Sequence, residues 1–317
     1  MKKLIEIDNI SSVKEIFGVE DKNLKLIEEK LGVNIFLKRE GMVIKGEKKK
    51  LEVASSFLGK LMKIKQEGVT LNKETIITIL QHTGGNSSAD SSFCKIRVPS
   101  TKRKFVFPKT KGQSEYIEAM RSYDITFSVG PAGTGKTYLA MAMAVNYLME
   151  GKVRRIILTR PALEAGESLG FLPGDMYEKL GPYLRPLYDA LYDMMEAETI
   201  EEYLETGIVE IVPLAYMRGR TLNNAFIILD EAQNCTSEQL RMFLTRLGFD
   251  SKTVITGDIT QSDLPGGKPH GLTQALKILK PIKGIKFIYL TKKDVVRHPL
   301  IQEIIQAYEE FYEKEKD

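Results

Sequence analysis

The sequence contains little cysteine and histidine, and it has no long apolar run. Its 317 residues include two cysteines and three histidines, whose spacing matches neither a zinc site nor a disulfide framework. No stretch approaches the roughly 20 consecutive apolar residues that a membrane-spanning helix needs. The opening segment MKKLIEIDNI carries acids at Glu6 and Asp8, which argues against a signal peptide. We therefore expect a cytoplasmic protein without a zinc site or a membrane segment.

The charge is small overall but unevenly distributed. The net charge is +4, from 46 Lys and Arg against 42 Asp and Glu. Residues 1–67 hold 15 basic and 11 acidic residues, residues 68–112 hold 8 and 2, and the rest of the chain holds 23 and 29. The basic excess is densest around TKRKFVFPKTKG, residues 101–112. Two interpretations remain open, namely a surface for a polyanion such as RNA and a solvated linker.

Hydrophobic patterning divides the chain into three parts. Residues 1–67 alternate short strand-like and helix-like segments and predict a small α+β domain. Residues 68–104 include the stretch GGNSSADSS and predict a basic, partly flexible linker. In residues 105–317, apolar strands alternate with helices, which predicts an α/β core with a parallel sheet buried on both faces. The expected core strands are ITFSV, RIILT, IVEIV, FIILD, TVIT and KFIYL.

A glycine-rich turn in the core carries the strongest chemical signal. GPAGTGKT matches the pattern G-x-x-x-x-G-K-[ST] and lies between a predicted strand and a predicted helix. Such a loop aims backbone N–H groups at phosphate oxygens, while Lys136 would bridge the β- and γ-phosphates and the Thr137 hydroxyl would hold Mg²⁺. ATP and Mg²⁺ are therefore the expected ligands. The loop residues expected to bind the nucleotide are Gly130, Pro131, Ala132, Gly133, Thr134 and Gly135.

Polar residues follow two other predicted strands. Asp230 and Glu231 end the strand FIILD, where Asp230 would hold Mg²⁺ opposite Thr137 and Glu231 would orient or deprotonate the attacking water. In TVITGDITQSD, Thr256, Asp258 and Gln261 follow another strand. These three residues would contact the γ-phosphate or position water, because strand ends of such sheets gather at the ligand crevice. The alternative is an ordinary strand-to-loop turn.

Arginines supply further candidates. Arg160 follows the strand RIILT, and Arg218 and Arg220 lie in YMRGRTL. For each of these, a phosphate contact and a plain salt bridge remain open. Arg297 in DVVRHPL follows the last predicted strand, where an arginine could neutralise γ-phosphate charge in the transition state.

Six ordered motifs together resemble the PhoH-like ATPases. They are GPAGTGKT, LTRPALEAGESLGFLPGD, YMRGRTL, FIILDEAQN, TGDITQSDLP and VVRHP. The resemblance covers residues 105–317 and implies a P-loop, RecA-like core similar to that of superfamily 1 helicases. It also implies that PKTKGQSEY contacts adenine, with Gln113 binding the adenine edge and Tyr116 supporting it. Residues 1–67 resemble the KH-like domain that precedes this core in many such proteins, but GVEDKN, at residues 18–23, lacks the second glycine of a G-x-x-G loop.

The same resemblance implies a role in RNA metabolism. It implies an ATPase that forms a ring-shaped homo-oligomer, such as a hexamer, and is associated with a metal-dependent endoribonuclease of ribosomal RNA maturation. Two functions remain open. One is an ATP-hydrolysing enzyme that moves or remodels RNA as a helicase, with Arg297 reaching the γ-phosphate of a neighbouring subunit. The other is an ATP-dependent switch that docks protein partners without unwinding RNA.

Overall fold

The computed structural model divides the chain into two compact units, Met1–Lys95 and Ile96–Asp317. Each unit has its own sheet. The structure describes residues 1–5, 10–38, 41–66, 71, 73–83, 95–100, 104–161, 176–261, 271–296, 300, 301, 303, 304, 307 and 308.

An antiparallel three-stranded sheet and its helices form the first unit. The strands, in the spatial order β1-β3-β2, are β1 (Lys2–Ile5), β2 (Asn34–Lys38) and β3 (Gly41–Lys45). The helices are α1 (Ile10–Phe17), α2 (Lys22–Leu31), α3 (Lys48–Gln66) and α4 (Lys73–Thr83). One face of the sheet packs on α2 and α3 and buries Ile35, Met42 and Ile44. This is the α+β arrangement that the sequence predicts for this region, and the likeness to a KH-like domain stays a prediction.

Helix α4 extends the first unit into a stretch that the sequence assigned to a linker. It contacts α2 and α3 and buries Ile76 and Ile79, which lie three positions apart on one helical face. This amphipathic pattern explains why the segment packs against the unit as a helix. The residues expected to form the flexible stretch GGNSSADSS lie outside the described part of the chain.

A parallel sheet of six strands is the centre of the second unit. Its spatial order is β11-β6-β10-β9-β7-β8, and every pairing is parallel. The predicted α/β fold class, with a P-loop core, is therefore confirmed. The strands are β6 (Ile125–Val129), β7 (Arg155–Arg160), β8 (Val209–Pro213), β9 (Ala225–Leu229), β10 (Lys252–Gly257) and β11 (Ile285–Tyr289). A separate pair joins β4 (Ile96–Arg97) to β5 (Phe105–Val106) in an antiparallel ribbon.

Helices cover this sheet. They are α5 (Lys111–Ser122), α6 (Lys136–Met149), α7 (Met176–Tyr192), α8 (Ala197–Glu205), α9 (Ser237–Leu244) and α10 (Gly271–Ile278). The burial of all five residues of β9 fits a strand covered on both faces. No helix in the described part of the chain is long and apolar enough to cross a membrane.

The strand order brings the expected motifs to one edge of the sheet. Strand β10 lies between β6 and β9, and the register aligns Gly257 with Val129 and Ile255 with Leu229. Because the strands are parallel, the loops that follow these three strands emerge together at the carboxyl edge. The glycine-rich turn after β6 and the acids after β9 therefore meet across a single intervening strand.

Candidate functional site

The turn between β6 and α6 has the backbone of a phosphate-binding loop. Gly133 and Gly135 adopt φ angles of 82° and 79°, in the left-handed region that favours glycine. Gly130 donates its N–H to the carbonyl of Gly257 at 3.1 Å. A side chain at Gly130 would collide with the carbonyl oxygen of Leu290, so this position requires glycine. The loop wraps the N-terminus of α6, where unpaired N–H groups favour an anion.

Lys136, the first residue of α6, places its ammonium group inside this loop. Its Nζ donates to the carbonyl oxygens of Gly130 at 2.6 Å and Pro131 at 2.9 Å. Burial lowers the pKa of Lys136, and the carboxylates of Asp258, Glu231 and Asp230 oppose this shift. The loop closes on itself through Thr134, whose hydroxyl donates to Pro131 O at 2.8 Å. The lysine charge is thus held next to the loop, with three acids facing it.

Asp230, which follows β9, contacts both the start of α6 and the neighbouring strand β10. The Thr137 hydroxyl donates to Asp230 Oδ1 at 2.6 Å, and the Thr256 hydroxyl donates to the same oxygen at 2.5 Å. Asp230 is 5% exposed. The sequence predicts that Asp230 and Thr137 lie on opposite sides of one ligand, and the structure brings them together. Thr256 thus contacts Asp230, and its expected role of contacting the γ-phosphate or positioning water stays a prediction.

The carboxylate of Glu231 contacts two neighbouring side chains, and its backbone has an uncommon conformation. Arg160 Nη2 lies 2.9 Å from Glu231 Oε1, and the Gln233 amide donates to Glu231 Oε2 at 2.5 Å. Arg160 Nε also lies 4.0 Å from Asp230 Oδ2. The φ angle of Glu231 is 55°, a strained value for a residue with a side chain. Of the two interpretations left open for Arg160, the salt bridge is the one present in this structure.

Asp258 directly follows β10, and its two carboxylate oxygens differ in their hydrogen bonds. Oδ1 accepts hydrogen bonds from the N–H and hydroxyl of Thr260 at 2.9 and 2.7 Å. Oδ2 is buried and has no hydrogen-bond partner among the described residues. The carboxamide of Gln233 donates to Glu231 and accepts from the N–H of Asp258 at 3.0 Å, which connects the two acids. Gln261 is exposed, and its N–H donates to Asp258 O at 3.2 Å.

Helix α5 supports the loop from the side expected to contact adenine. Gln113 is 4% exposed, and its carboxamide accepts from Lys109 N at 2.6 Å and donates to Thr134 O at 3.1 Å. Tyr116 is fully buried and donates its hydroxyl to Lys136 O at 3.1 Å. Both residues therefore contact the glycine-rich loop or the helix that follows it. Their role toward adenine stays a prediction.

Asp294 is a site residue that sequence reasoning missed. Its Oδ1 accepts from the Thr110 hydroxyl at 2.6 Å, and its Oδ2 accepts from Thr291 N at 2.8 Å. Burial raises the pKa of Asp294, but hydrogen bonds from Thr110, Thr291 and the Gly112 backbone outweigh it and hold the pKa below its usual value. The sequence TKKD, residues 291–294, has the capping-box pattern that signals the contact with Thr291, whereas the other partner, Thr110, lies 184 positions away. Asp294 therefore fastens the start of α5 to the segment after β11.

The same segment also contacts the loop itself. Val296 N–H donates to the carbonyl oxygen of Gly133 at 2.9 Å. Arg297, expected to act on the γ-phosphate, follows in the sequence but lies outside the described residues. In the other arginine motif, Arg220 forms two hydrogen bonds of 2.6 Å with the carboxylate of Glu210, whereas Arg218 is exposed. Arg220 thus has the structural salt bridge, one of its two expected roles.

Comparison with known proteins assigns the family. The family described as PhoH-like protein matches residues 105–309. The chain belongs to the PhoH family. A PhoH-like protein of Bacillus subtilis (strain 168) is 48% identical over 306 residues, which cover 96% of each chain.

Two further relatives extend this picture. A PhoH-like protein of Mycobacterium tuberculosis (strain ATCC 25618 / H37Rv) is 49% identical over 301 residues, which cover 94% of this chain and 85% of that protein. Protein PhoH of Escherichia coli (strain K12) is 46% identical over 205 residues, or 64% of this chain and 58% of that protein. The resemblance inferred from the six motifs is therefore confirmed at the level of the family, and the glycine-rich loop makes this PhoH family member a P-loop protein.

Proposed function

We propose that this PhoH family protein binds ATP with Mg²⁺ at the carboxyl edge of its parallel sheet and hydrolyses it in association with RNA. The observation that carries the proposal is the Thr137–Asp230 hydrogen bond, which joins the P-loop helix to the acid that follows β9. Phosphate would enter the loop at the N-terminus of α6, where Lys136 supplies a positive charge. Lys136 is the one basic residue of the loop sequence GPAGTGKT, and its ammonium contacts the carbonyl oxygens of Gly130 and Pro131.

The donor set fits Mg²⁺. This ion takes oxygen ligands and is usually held in nucleotide sites by one or two carboxylates together with phosphate oxygens. Thr137 Oγ1 and Asp230 Oδ1 are two such oxygens lying side by side. Among the described residues, no group of three or more His, Cys, Asp or Glu could hold a metal on its own. When bound, Mg²⁺ would neutralise charge on the phosphate oxygens.

Hydrolysis requires a group that activates water. Glu231 follows Asp230 directly, and its carboxylate faces Lys136 closely enough to oppose the effect of burial on the lysine pKa. We assign Glu231 as the base that orients or deprotonates the water, with Arg160 and Gln233 fixing its carboxylate. The unpaired oxygen of Asp258 is a second acceptor for water at the same edge. Gln113 and Tyr116 would shape the adenine side, and Arg297 would act at the γ-phosphate.

The association with RNA rests on family resemblance and on charge. Residues 1–112 hold a net charge of +10, because residues 1–67 contribute 15 − 11 = +4 and residues 68–112 contribute 8 − 2 = +6. A polyanion would be attracted to this part of the chain. The alternative function is an ATP-dependent switch that docks a protein partner, such as an endoribonuclease, without unwinding RNA. The proposal also includes a ring-shaped homo-oligomer, as the family resemblance implies.

One experiment separates the two functions. ATP turnover is measured with and without single-stranded RNA over a series of salt concentrations. For an RNA-associated ATPase we expect stimulation that falls steeply with salt, because each phosphate contact releases counterions. Turnover that RNA leaves unchanged at every salt concentration would favour the protein-docking switch. No turnover under any condition would contradict hydrolysis, and ATP binding would then be tested separately by equilibrium dialysis.

A further inference from the structure

The sheet of the first unit turns one face away from its helices, and that face carries an apolar row. The register aligns Leu4 with Val43 and Val43 with Phe36. Residues directly opposite one another in an antiparallel sheet share a face, so these three side chains form one row. Leu4 is 49% exposed and Phe36 is 44% exposed. We name this surface the open sheet face, and its residues are Lys2, Leu4, Asn34, Phe36, Lys38, Val43 and Lys45.

Lysines lie on both sides of the apolar row. Lys2 and Lys45 are opposite one another, two residues before Leu4 and two residues after Val43, while Lys38 lies two residues beyond Phe36. All three lysines are exposed. None of them forms an ion pair with a residue that the structure describes. Lys45 Nζ lies 4.5 Å from the centroid of the Phe36 ring, a cation–π contact.

Acidic side chains also lie at one edge of this sheet. Glu28 and Glu29 line a groove at the edge of the sheet together with Asn34 and Lys45. Glu28 Oε1 accepts a hydrogen bond from Ile35 N at 2.7 Å, so its carboxylate binds the backbone of β2. Glu29 is the acid at that edge with an exposed side chain. The open sheet face therefore has a positive border around an apolar and aromatic centre.

This combination matches the chemistry of unpaired nucleic acid. Single strands bind where bases stack on an aromatic ring and phosphates meet lysines or arginines. An apolar row alone would suit a protein partner equally well, but lysines on both sides, which form no ion pair with a described residue, favour a polyanion. A duplex keeps its bases stacked inside, so an exposed ring selects single strands. Base stacking on Phe36 would displace the ammonium of Lys45, whose flexible side chain can then reach a phosphate.

We propose that the open sheet face binds single-stranded RNA, with Phe36 as the stacking platform and Lys2, Lys38 and Lys45 as phosphate contacts. This inference rests on the proposed association with RNA and specifies where it occurs. It also accounts for the segment GVEDKN, in which Glu20 and Asp21 are exposed and would repel a phosphate backbone. In this protein the sheet would therefore take over the task that a G-x-x-G loop performs in a KH domain.

The stacking claim is tested by substituting Phe36 in the full chain. Binding is measured by fluorescence anisotropy with a labelled oligouridylate of about 12 nucleotides, a length within the range that single-strand binding folds occupy. We expect Phe36→Ala to weaken binding about tenfold. Phe36→Tyr should keep the affinity because the ring remains, whereas Phe36→Leu should lose it. Phe249→Ala is the matched control, since Phe249 is an exposed phenylalanine of the second unit.

The phosphate claim is tested by removing two charges. Lys38→Gln combined with Lys45→Gln should reduce the slope of log affinity against log salt by about 1.4, the value for two lost contacts to a single strand. Lys14→Gln combined with Lys25→Gln makes the same change in net charge on exposed positions of α1 and α2. This control should leave the slope close to that of the unmodified protein. An oligodeoxythymidylate of the same length measures any preference for RNA over DNA.

The outcomes separate this inference from the proposed function. If the unmodified protein binds RNA and Phe36→Ala binds equally well, RNA lies elsewhere and only the inference is overturned. If the unmodified protein neither binds RNA nor responds to it in ATP turnover, both fail. Retained affinity in Phe36→Leu would overturn stacking. A change in molecular mass by light scattering for Phe36→Ala, with RNA binding intact, would instead identify a contact between copies of this chain.

Discussion

The Thr137 hydroxyl donates to Oδ1 of Asp230 across 93 positions of sequence. The same oxygen accepts the hydroxyl of Thr256 from the strand between them. Asp230 therefore accepts two hydroxyl groups at one oxygen, whereas the two carboxylate oxygens of its neighbour Glu231 contact Arg160 and Gln233. This difference separates the expected effects of substituting them.

We predict that Asp230→Asn impairs Mg²⁺-dependent ATP binding, whereas Glu231→Gln impairs turnover. Asp230→Asn should abolish the dependence of ATP binding on Mg²⁺, because an amide is a poor ligand for this ion. Glu231→Gln should still bind ATP with Mg²⁺ but turn it over at least ~100-fold more slowly, which is the usual contribution of a general base. Binding is measured by calorimetry with and without EDTA, and turnover by phosphate release. Glu201→Gln, at an exposed position of α8, is the control. The reverse pattern would mean that the two roles are exchanged.

Lys136→Ala should abolish turnover and weaken ATP binding. The loop carbonyls of Gly130 and Pro131 hold the ammonium where phosphate is expected, and the described part of the loop offers no replacement. We expect a loss of at least about 100-fold in kcat, comparable to removing one charge-stabilising donor from an active site. Lys280→Ala changes an exposed lysine and should behave like the unmodified protein. Normal turnover in folded Lys136→Ala would refute the P-loop assignment.

Arg160 should act through Glu231 and not directly on a phosphate. The basis is the 2.9 Å contact between Arg160 Nη2 and Glu231 Oε1. Arg160→Ala alone should reduce kcat. In a protein that already carries Glu231→Gln, the same substitution should reduce kcat little further. Expressed as a double-mutant cycle for the transition state, the coupling energy should be about 1–3 kcal/mol. Additive losses in kcat would assign Arg160 a separate contact with the nucleotide or with RNA.

Asp294→Asn should lower stability in a way that depends on pH. The pKa of Asp294 is lower in the folded protein than in the unfolded chain. Its carboxylate therefore adds to the free energy of unfolding at pH values above the unfolded pKa. This contribution is lost as the pH falls through the pKa of the folded protein. We expect a cost of about 1–2 kcal/mol near neutral pH, typical of a hydrogen-bonded charge. The difference from the unmodified protein should shrink below about pH 4.

Urea unfolding followed by circular dichroism at several pH values checks this. Asp250→Asn is the matched control, because Asp250 is exposed and its φ angle of 55° also suits asparagine. A cost for Asp294→Asn that stays constant from neutral to acidic pH would show that packing, and not the carboxylate charge, is what Asp294 contributes.

The sequence predicted the core strands well because they are short apolar runs with polar boundaries. The segment ITFSV coincides with β6, and the other five predicted strands differ from β7 to β11 by about one residue at their ends. The P-loop was equally clear, since its pattern includes the strand before and the helix after it. Helices α5, α8 and α10 were not predicted. They have only 12, 9 and 8 residues, and helices this short depend on packing against the rest of the fold.

Side-chain pairings across the site were out of reach of the sequence. The Arg160–Glu231 and Thr256–Asp230 contacts depend on the order of strands in the sheet, which the order along the chain does not specify. Asp294 was missed for the same reason, because its partner Thr110 belongs to a distant element. A local sequence pattern can predict the type of a site residue and the secondary structure around it. Which residues become neighbours is decided by the topology.

The hydrogen bond from Val296 N–H to Gly133 O makes the backbone ahead of Arg297 a reporter of what the loop holds. The Gly133 carbonyl and the Thr134 N–H belong to one rigid peptide unit, so turning that N–H toward a phosphate also turns the carbonyl. Val296 must then follow this rotation or lose its partner. Either response converts the arrival of a nucleotide into a displacement at a point far along the chain. Forms of the protein with and without a nucleotide would therefore differ in the position of the Val296 backbone.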